Sequence, residues 1–196
     1  MIKTIIFDLN GVFIRSPKLS DRFRDKFNVL EEKFLPVLKE IMAKVRLPNA
    51  GDTFSYWKPY LEKWGVNLSK EDFFNFWFSA EREVPEMIEI ARGLKNEGFK
   101  IFILSNNFAE RTAYYDKNFS FLKELFGKVY YSWQTGFTKS APEAYKIVLS
   151  ENGLKPEECI YFDDSKENVE LATSLGIKAF IFEEPEGVVS ILRKHI

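Results

Sequence analysis

The sequence predicts an α/β fold, a parallel sheet covered by helices on both faces and interrupted by one all-helical segment. Three observations carry this. From residue 84 onward, short apolar runs of strand character alternate with amphipathic helical patterns, the signature of a parallel sheet. Between the first apolar run and residue 84, roughly seventy residues show helical patterns only, too many for a structureless loop in a compact domain. Acids or hydroxyls stand where several strand runs end, the edge at which such sheets gather ligands.

In chain order, the first strand is expected over 2–7 ("IKTIIF"), β-branched and stopping on Asp8. Amphipathic helical stretches follow at about 19–46, 56–64 and 70–80, separated by the turn signals "LPNAGDT" and "WGVN". A helix over 84–97 has Pro85 near its start and Gly98 at its close. Strands over 99–104, 128–131, 159–162 and 177–182 then alternate with helices over 108–117, 141–152 and 165–175, the last closed by Gly176. The domain organisation that follows is a core of residues 1–14 and 82–196 with a helical cap of residues 15–81.

Composition narrows the function. The 196 residues are 45% hydrophobic with a net charge of −1, and no block of like charge suggests a nucleic-acid or membrane surface. Twenty Phe, eight Tyr and four Trp read mainly as packing residues. The start "MIKTIIF" resembles no leader or membrane span, so a cytoplasmic location is expected. Cys159 has no cysteine to pair with and lies in an apolar run, where it reads as an inert small hydrophobe. With His195 as the only histidine, chemistry falls to carboxylates, hydroxyls, lysine and amides.

Carboxylates at the ends of buried strands are costly unless a cation or a donor meets them. Asp8, Asp163 and Asp164 converging on one edge therefore suggest a hard cation, and Mg²⁺ suits few protein oxygens shared with a phosphate. Ser105 and Asn106, in "LSNN" after the second strand of the sheet, can hold an anion, and Lys139 can neutralise a phosphoryl oxygen. Together they make the parts of a phosphoryl-transfer site.

These residues resemble the haloacid dehalogenase-like superfamily, whose four motifs stand in order as "FDLNGV" at 7–12, "LSN" at 104–106, Lys139 followed by "APEAY", and "YFDDSKENVELATSLGI" at 161–177. The resemblance covers essentially the whole chain and extends to the subgroup of sugar-phosphate phosphatases and epoxide hydrolase amino-terminal phosphatase domains. It implies a Rossmann-like core with an inserted helical cap. It also implies Asp8 as nucleophile forming an aspartyl-phosphate, and Mg²⁺ held by Asp8, the Asn10 carbonyl and Asp164, with Asp163 assisting directly or through water. Ser105 and Asn106 would hold the phosphoryl oxygens, Lys139 would balance charge, and Gly11 would let the backbone approach closely. Two positions depart from the pattern. Asn10 replaces the Asp that protonates the leaving group, and Ser140 rather than proline follows Lys139.

The expected function is a Mg²⁺-dependent phosphatase for a small phosphorylated metabolite, with sugar phosphates among the candidates, slowed by the amide at position 10. A dehalogenase acting on carbon would need neither an acid at position 10 nor a metal, and Asp163 and Asp164 weigh against it. A low-turnover phosphoryl-ligand binder is the non-enzymatic alternative. A receiver domain is disfavoured because its acidic pair follows the first strand, the reverse of "FDL" and "FDD". Arg15, Arg22, Trp57, Lys58, Tyr60 and Trp77 are the cap residues that could face a ligand, the aromatics more often serving as core.

Overall fold

The first strand, β1 (Thr4–Phe7), is buried along its whole length because it is the middle of the sheet. A computed structural model describes all 196 residues. The chain runs β1, β2 (Ile14–Arg15), α1 (Leu19–Phe27), α2 (Glu31–Val45), α3 (Thr53–Lys63), α4 (Lys70–Phe78) and β3 (Arg82–Glu83). It continues through α5 (Pro85–Asn96), β4 (Lys100–Ser105), α6 (Ala109–Asn118), α7 (Phe121–Leu125), β5 (Lys128–Tyr131), α8 (Ser132–Thr135) and α9 (Pro142–Glu151). A 3₁₀ turn then precedes β6 (Cys159–Asp163), α10 (Lys166–Ser174), β7 (Lys178–Ile181) and α11 (Pro185–His195).

The large sheet has the order β5-β4-β1-β6-β7 with every pairing parallel, as the alternation predicts. Its central strands β1, β4 and β6 are buried almost throughout because both faces are covered, while the edge strands β5 and β7 are partly exposed. Ile5, Phe7, Ile101, Ile103, Ile160 and Phe162 point into one core with residues of α5, α6 and α11. Ile6, Phe102, Leu104 and Tyr161 point the other way, against Tyr145 and Val148 of α9 and Ala172 of α10. Each large side chain so buried contributes about 1.5–3 kcal/mol of transfer free energy.

Helices α1–α4 share their own aromatic core, built on Phe23, Phe34, Trp57, Phe73 and Trp77. The stretch expected over 19–46 is two helices. Asn28 takes a left-handed conformation (φ 55°) and donates its N–H back to Arg24, which turns the chain before α2. Asp52 and Ser69 cap α3 and α4 by accepting from Phe54 and Asp72 N–H groups. The chain leaves the core along β2 and returns along β3, which pair antiparallel. Helices α7, α8 and α11 were not anticipated. The short pair lies among turn-forming residues, while α11 buries Val188 and Leu192 in the β1 core. No helix is long and apolar enough to cross a membrane.

Candidate active site

The chain reaches β4 and β5 on one side of β1 and β6 and β7 on the other, so the crevice beyond the carboxyl ends of β1 and β6 is where strand order reverses. Asp8, Asp163 and Asp164 stand there, with carboxylate oxygens all within 4.8 Å of one another. Parallel pairing in register explains the convergence: Phe7 lies opposite Phe162, so the next residue of each strand is an aspartate.

Lys139 lies between two of these acids. Its Nζ is 2.7 Å from Asp8 Oδ1 and 2.7 Å from Asp163 Oδ2, and all three side chains are buried. Burial works against the lysine's charge, but the two carboxylates outweigh it and raise its pKa. The loop carrying it is held by Asn106, whose Oδ1 accepts the Lys139 N–H at 2.8 Å, and by Tyr145, whose hydroxyl donates to the Lys139 carbonyl at 3.1 Å. Asn106 therefore positions the lysine through its side chain.

The three aspartates are not equivalent. Both oxygens of Asp163 are occupied: Lys139 and the Tyr161 hydroxyl donate to Oδ2, and Ser165 N–H and Asn168 Nδ2 donate to Oδ1 at 2.8 and 3.0 Å. Asp8 uses only Oδ1, which also accepts from Leu9 N–H at 2.7 Å, and its Oδ2 makes no hydrogen bond. Burial, relieved by Lys139 and reinforced by Asp163, pushes Asp8 up to about 6. Asp164 is exposed, and partial desolvation and then Asp163 raise its pKa as well.

Gly11 matters sterically. It has φ 92°, and a Cβ there would stand 2.4 Å from Asp164 Oδ2, so only glycine admits that carboxylate. Ser105 is buried with its Oγ unpartnered, a donor at the strand end with nothing in the chain to satisfy it. Three acids against one lysine, two with unengaged hard oxygens, fit a small divalent cation such as Mg²⁺.

Asn10 belongs to a second network that the sequence did not announce. Its amide donates to the Tyr115 hydroxyl at 2.7 Å, and its Oδ1 accepts from Asn107 Nδ2 at 3.2 Å. The Tyr115 hydroxyl, driven far above its ordinary pKa mainly by burial, also lies against Glu81, whose Oε1 accepts from Arg111 Nε at 2.8 Å. Tyr115 has one proton to give. Here it accepts from the Asn10 amide, while Glu81 Oε2 nearby is buried without a hydrogen-bond partner.

None of the six cap residues singled out in the sequence is free. Trp57 and Trp77 are in the aromatic core. Arg22 donates to the Phe76 and Trp77 carbonyls, Tyr60 to Glu40, and Arg15 to the Gly11 carbonyl. Lys58 lies 3.9 Å from Glu62. The missed residues are Glu81, Asn107, Arg111 and Tyr115; "ERE" and "ERTAYY" carry no period that separates these from surface charges.

Against known proteins, residues 2–176 match the family of haloacid dehalogenase-like hydrolases. The chain is 25% identical to D-ribitol-5-phosphate phosphatase of Bacteroides thetaiotaomicron, over 92% of this chain and 91% of that protein. It is also 25% identical to bifunctional epoxide hydrolase 2 of Sus scrofa, over 98% of this chain but only 38% of that longer protein. Among solved structures, a HAD family enzyme of Bacteroides thetaiotaomicron in complex with magnesium and inorganic phosphate superposes with a TM-score of 0.77 at 25% identity, covering 93% of this chain and 95% of that one.

Proposed function

This chain belongs to the haloacid dehalogenase-like hydrolase family and is an enzyme, and on that premise we propose that it is a Mg²⁺-dependent phosphomonoesterase for a small phosphorylated metabolite of the sugar-phosphate class. The observation that carries the reading is Asp8. It is a buried carboxylate with one oxygen fixed by Lys139 and Leu9 N–H and the other unengaged, next to two further acids and an unpartnered Ser105 hydroxyl. The phosphatase relative and the magnesium- and phosphate-bound structure support the same chemistry.

In this mechanism Asp8 Oδ2 attacks phosphorus, the ester P–O bond breaks with its electron pair leaving on the alcohol oxygen, and an aspartyl-phosphate remains. Water then cleaves that acyl phosphate and returns the free carboxylate. Ser105 Oγ and the backbone donors after β4 hold the phosphoryl oxygens, with Asn106 keeping Lys139 in place. Lys139 anchors Asp8 Oδ1, leaving Oδ2 as the attacking atom, and offsets the charge that accumulates. Asp8 through the oxygen that does not attack, Asp164 and the Asn10 carbonyl would hold Mg²⁺, with Asp163 behind them, and the ion when bound neutralises phosphoryl charge so that an anionic nucleophile can approach. Residues 15–81 act as a cap over a core of 1–14 and 82–196. The near-zero net charge, without a block of like charge, supports an enzyme without nucleic-acid or membrane-surface partners, and the cytoplasm is its proposed location.

Asn10 leaves the departing alkoxide without the usual acid. General acid catalysis is worth about 10²–10⁴-fold, so turnover should be slow and should favour good leaving groups. The test is phosphate release from p-nitrophenyl phosphate and a sugar-phosphate panel including D-ribitol 5-phosphate, with Mg²⁺ or chelator. Asp8→Ala and chelation are expected to abolish release. Asn10→Asp is expected to speed the sugar phosphates by a factor in that range and p-nitrophenyl phosphate far less. Full turnover by Asp8→Ala would overturn the mechanism, and metal-independent chloride release from 2-chloropropionate would move the assignment to carbon.

A further inference from the structure

A primary amide has two N–H donors on one side and a carbonyl on the other, so its partners decide which way it faces. For Asn10 the decision starts at Phe108. The Phe108 N–H, which can only donate, gives its hydrogen to Asn107 Oδ1 at 3.1 Å. Asn107 is fully buried and is also tied to Ser132, whose Oγ accepts from its N–H at 3.1 Å and donates to its carbonyl at 3.2 Å. With its side-chain oxygen committed, Asn107 turns Nδ2 toward Asn10 and stands 3.2 Å from Oδ1. Asn10 must then show its oxygen to Asn107 and its two N–H groups to the other side.

One of those hydrogens goes to the Tyr115 hydroxyl at 2.7 Å. Tyr115 is fully buried as well, and the Arg111 guanidinium, tied to Glu81 through Nε at 2.8 Å, lies over its ring with the central carbon 5.5 Å from the centroid. The other Asn10 hydrogen has no acceptor in the chain. Asn10 is also the one member of the trio that is not buried. It stands two residues beyond Asp8 and next to Gly11, against which the Asp164 carboxylate packs. A donor held rigidly and left free beside the attacking carboxylate matches an oxygen that the substrate brings.

We propose that Tyr115 and Asn107 are positioning residues that fix the Asn10 amide with its free N–H toward the leaving oxygen of the ester, so that position 10 assists cleavage by donating a hydrogen bond instead of a proton. The inference rests on the phosphatase reading. In the step concerned, the P–O bond breaks with its electron pair going to the alcohol oxygen, the Asn10 N–H stabilises the charge that develops there and keeps its hydrogen, and water supplies the proton. A hydrogen bond to a charged oxygen is worth about 10–100-fold in rate, and its value grows with the charge the oxygen carries. Poor leaving groups therefore depend on it most.

The test compares kcat/KM for p-nitrophenyl phosphate, phenyl phosphate and glycerol 3-phosphate, in order of rising leaving-group basicity. Tyr115→Phe keeps the ring and removes the acceptor. It is expected to lower kcat/KM about 10–100-fold for phenyl phosphate and glycerol 3-phosphate and hardly at all for p-nitrophenyl phosphate. Asn10→Ala is expected to show the same selective loss, and Tyr115→Phe added to it to cost nothing more. Asn107→Leu, which removes the hold on the other side of the amide, is expected to show the same selectivity if Tyr115→Phe does not fold. Equal losses on all three esters, or a full further loss in the double variant, overturns the inference. The orientation is read without turnover from the Asn10 Nδ2 resonances, assigned by their absence in Asn10→Ala. One hydrogen protected from exchange with water and one exposed is expected, a difference lost in Tyr115→Phe, and two hydrogens alike overturns the positioning. If the natural chain releases phosphate from none of the three esters, the phosphatase reading fails and the role at the leaving oxygen fails with it, whereas release with losses indifferent to the leaving group removes that role alone.

Discussion

The edge of the sheet and the cap are both densely buried, but with opposite materials. At the sheet edge Asp8, Lys139 and Asp163 are buried charges that hold one another. In the cap, rings pack on rings: Phe34 stacks on Trp57 with centroids 5.5 Å apart, and Trp57 meets Phe73 and Trp77. The difference teaches where function can reside. Ring carbons need nothing beyond one another, and the one polar ring atom left over there is the buried Trp57 Nε1, whereas a cluster with more acids than bases, an idle carboxylate oxygen and an unpartnered hydroxyl is complete only with a cation and an anion from outside.

Breaking the charged region should give the largest effect. Lys139→Met leaves Asp8 and Asp163 buried against each other, and we expect about 3–5 kcal/mol of lost stability in urea titration together with loss of measurable phosphate release. Unchanged stability would mean that the triad is not held by its charges. Trp57→Ala should cost a similar ~3–5 kcal/mol through cavity formation, but hydrogen exchange should rise in α1–α4 while β1, β4 and β6 stay protected. Equal loosening of the sheet would erase the contrast between the two regions.

Gly11→Ala sharpens the picture on the sheet edge. The strained φ costs of the order of 1–3 kcal/mol, and the new methyl group displaces Asp164, so the Mg²⁺ concentration for half-maximal activity should rise about tenfold or more with the fold retained. An unchanged metal requirement would remove Asp164 from the site. The smallest effect concerns Cys159, whose thiol burial pushes up to about 12 from an ordinary value of 9.0. Because its folded pKa exceeds the unfolded one, its contribution to stability is full below about pH 9 and declines as pH rises toward 12. Iodoacetamide at pH 8 should leave it unmodified until denaturant unfolds the chain, and rapid alkylation of the folded protein would show an open β6.

Much of this was legible one residue at a time. Asp8, Ser105, Asp163 and Asp164 follow apolar runs, and a strand's end is a local property that the run itself marks. Gly11 was legible as a close approach but not as the contact with Asp164. Asn106 reads from the sequence as a phosphate-side residue, and its side-chain oxygen also holds the Lys139 loop, which no local pattern marks. The pairing of Asn10 with Tyr115, 105 residues away, has no sequence signal.

The sequence by itself determined the parallel sheet, the inserted helices and the acids at the strand ends, because hydrophobic period and strand termination act over a few residues. Only the tertiary structure decided that Asp163 is saturated while Asp8 keeps a free oxygen, and that the Asn10 amide is shared between Tyr115 and Asn107. Those outcomes depend on how a finite set of donors and acceptors is shared among segments far apart in the chain, and that sharing exists only once the cap has closed on the sheet.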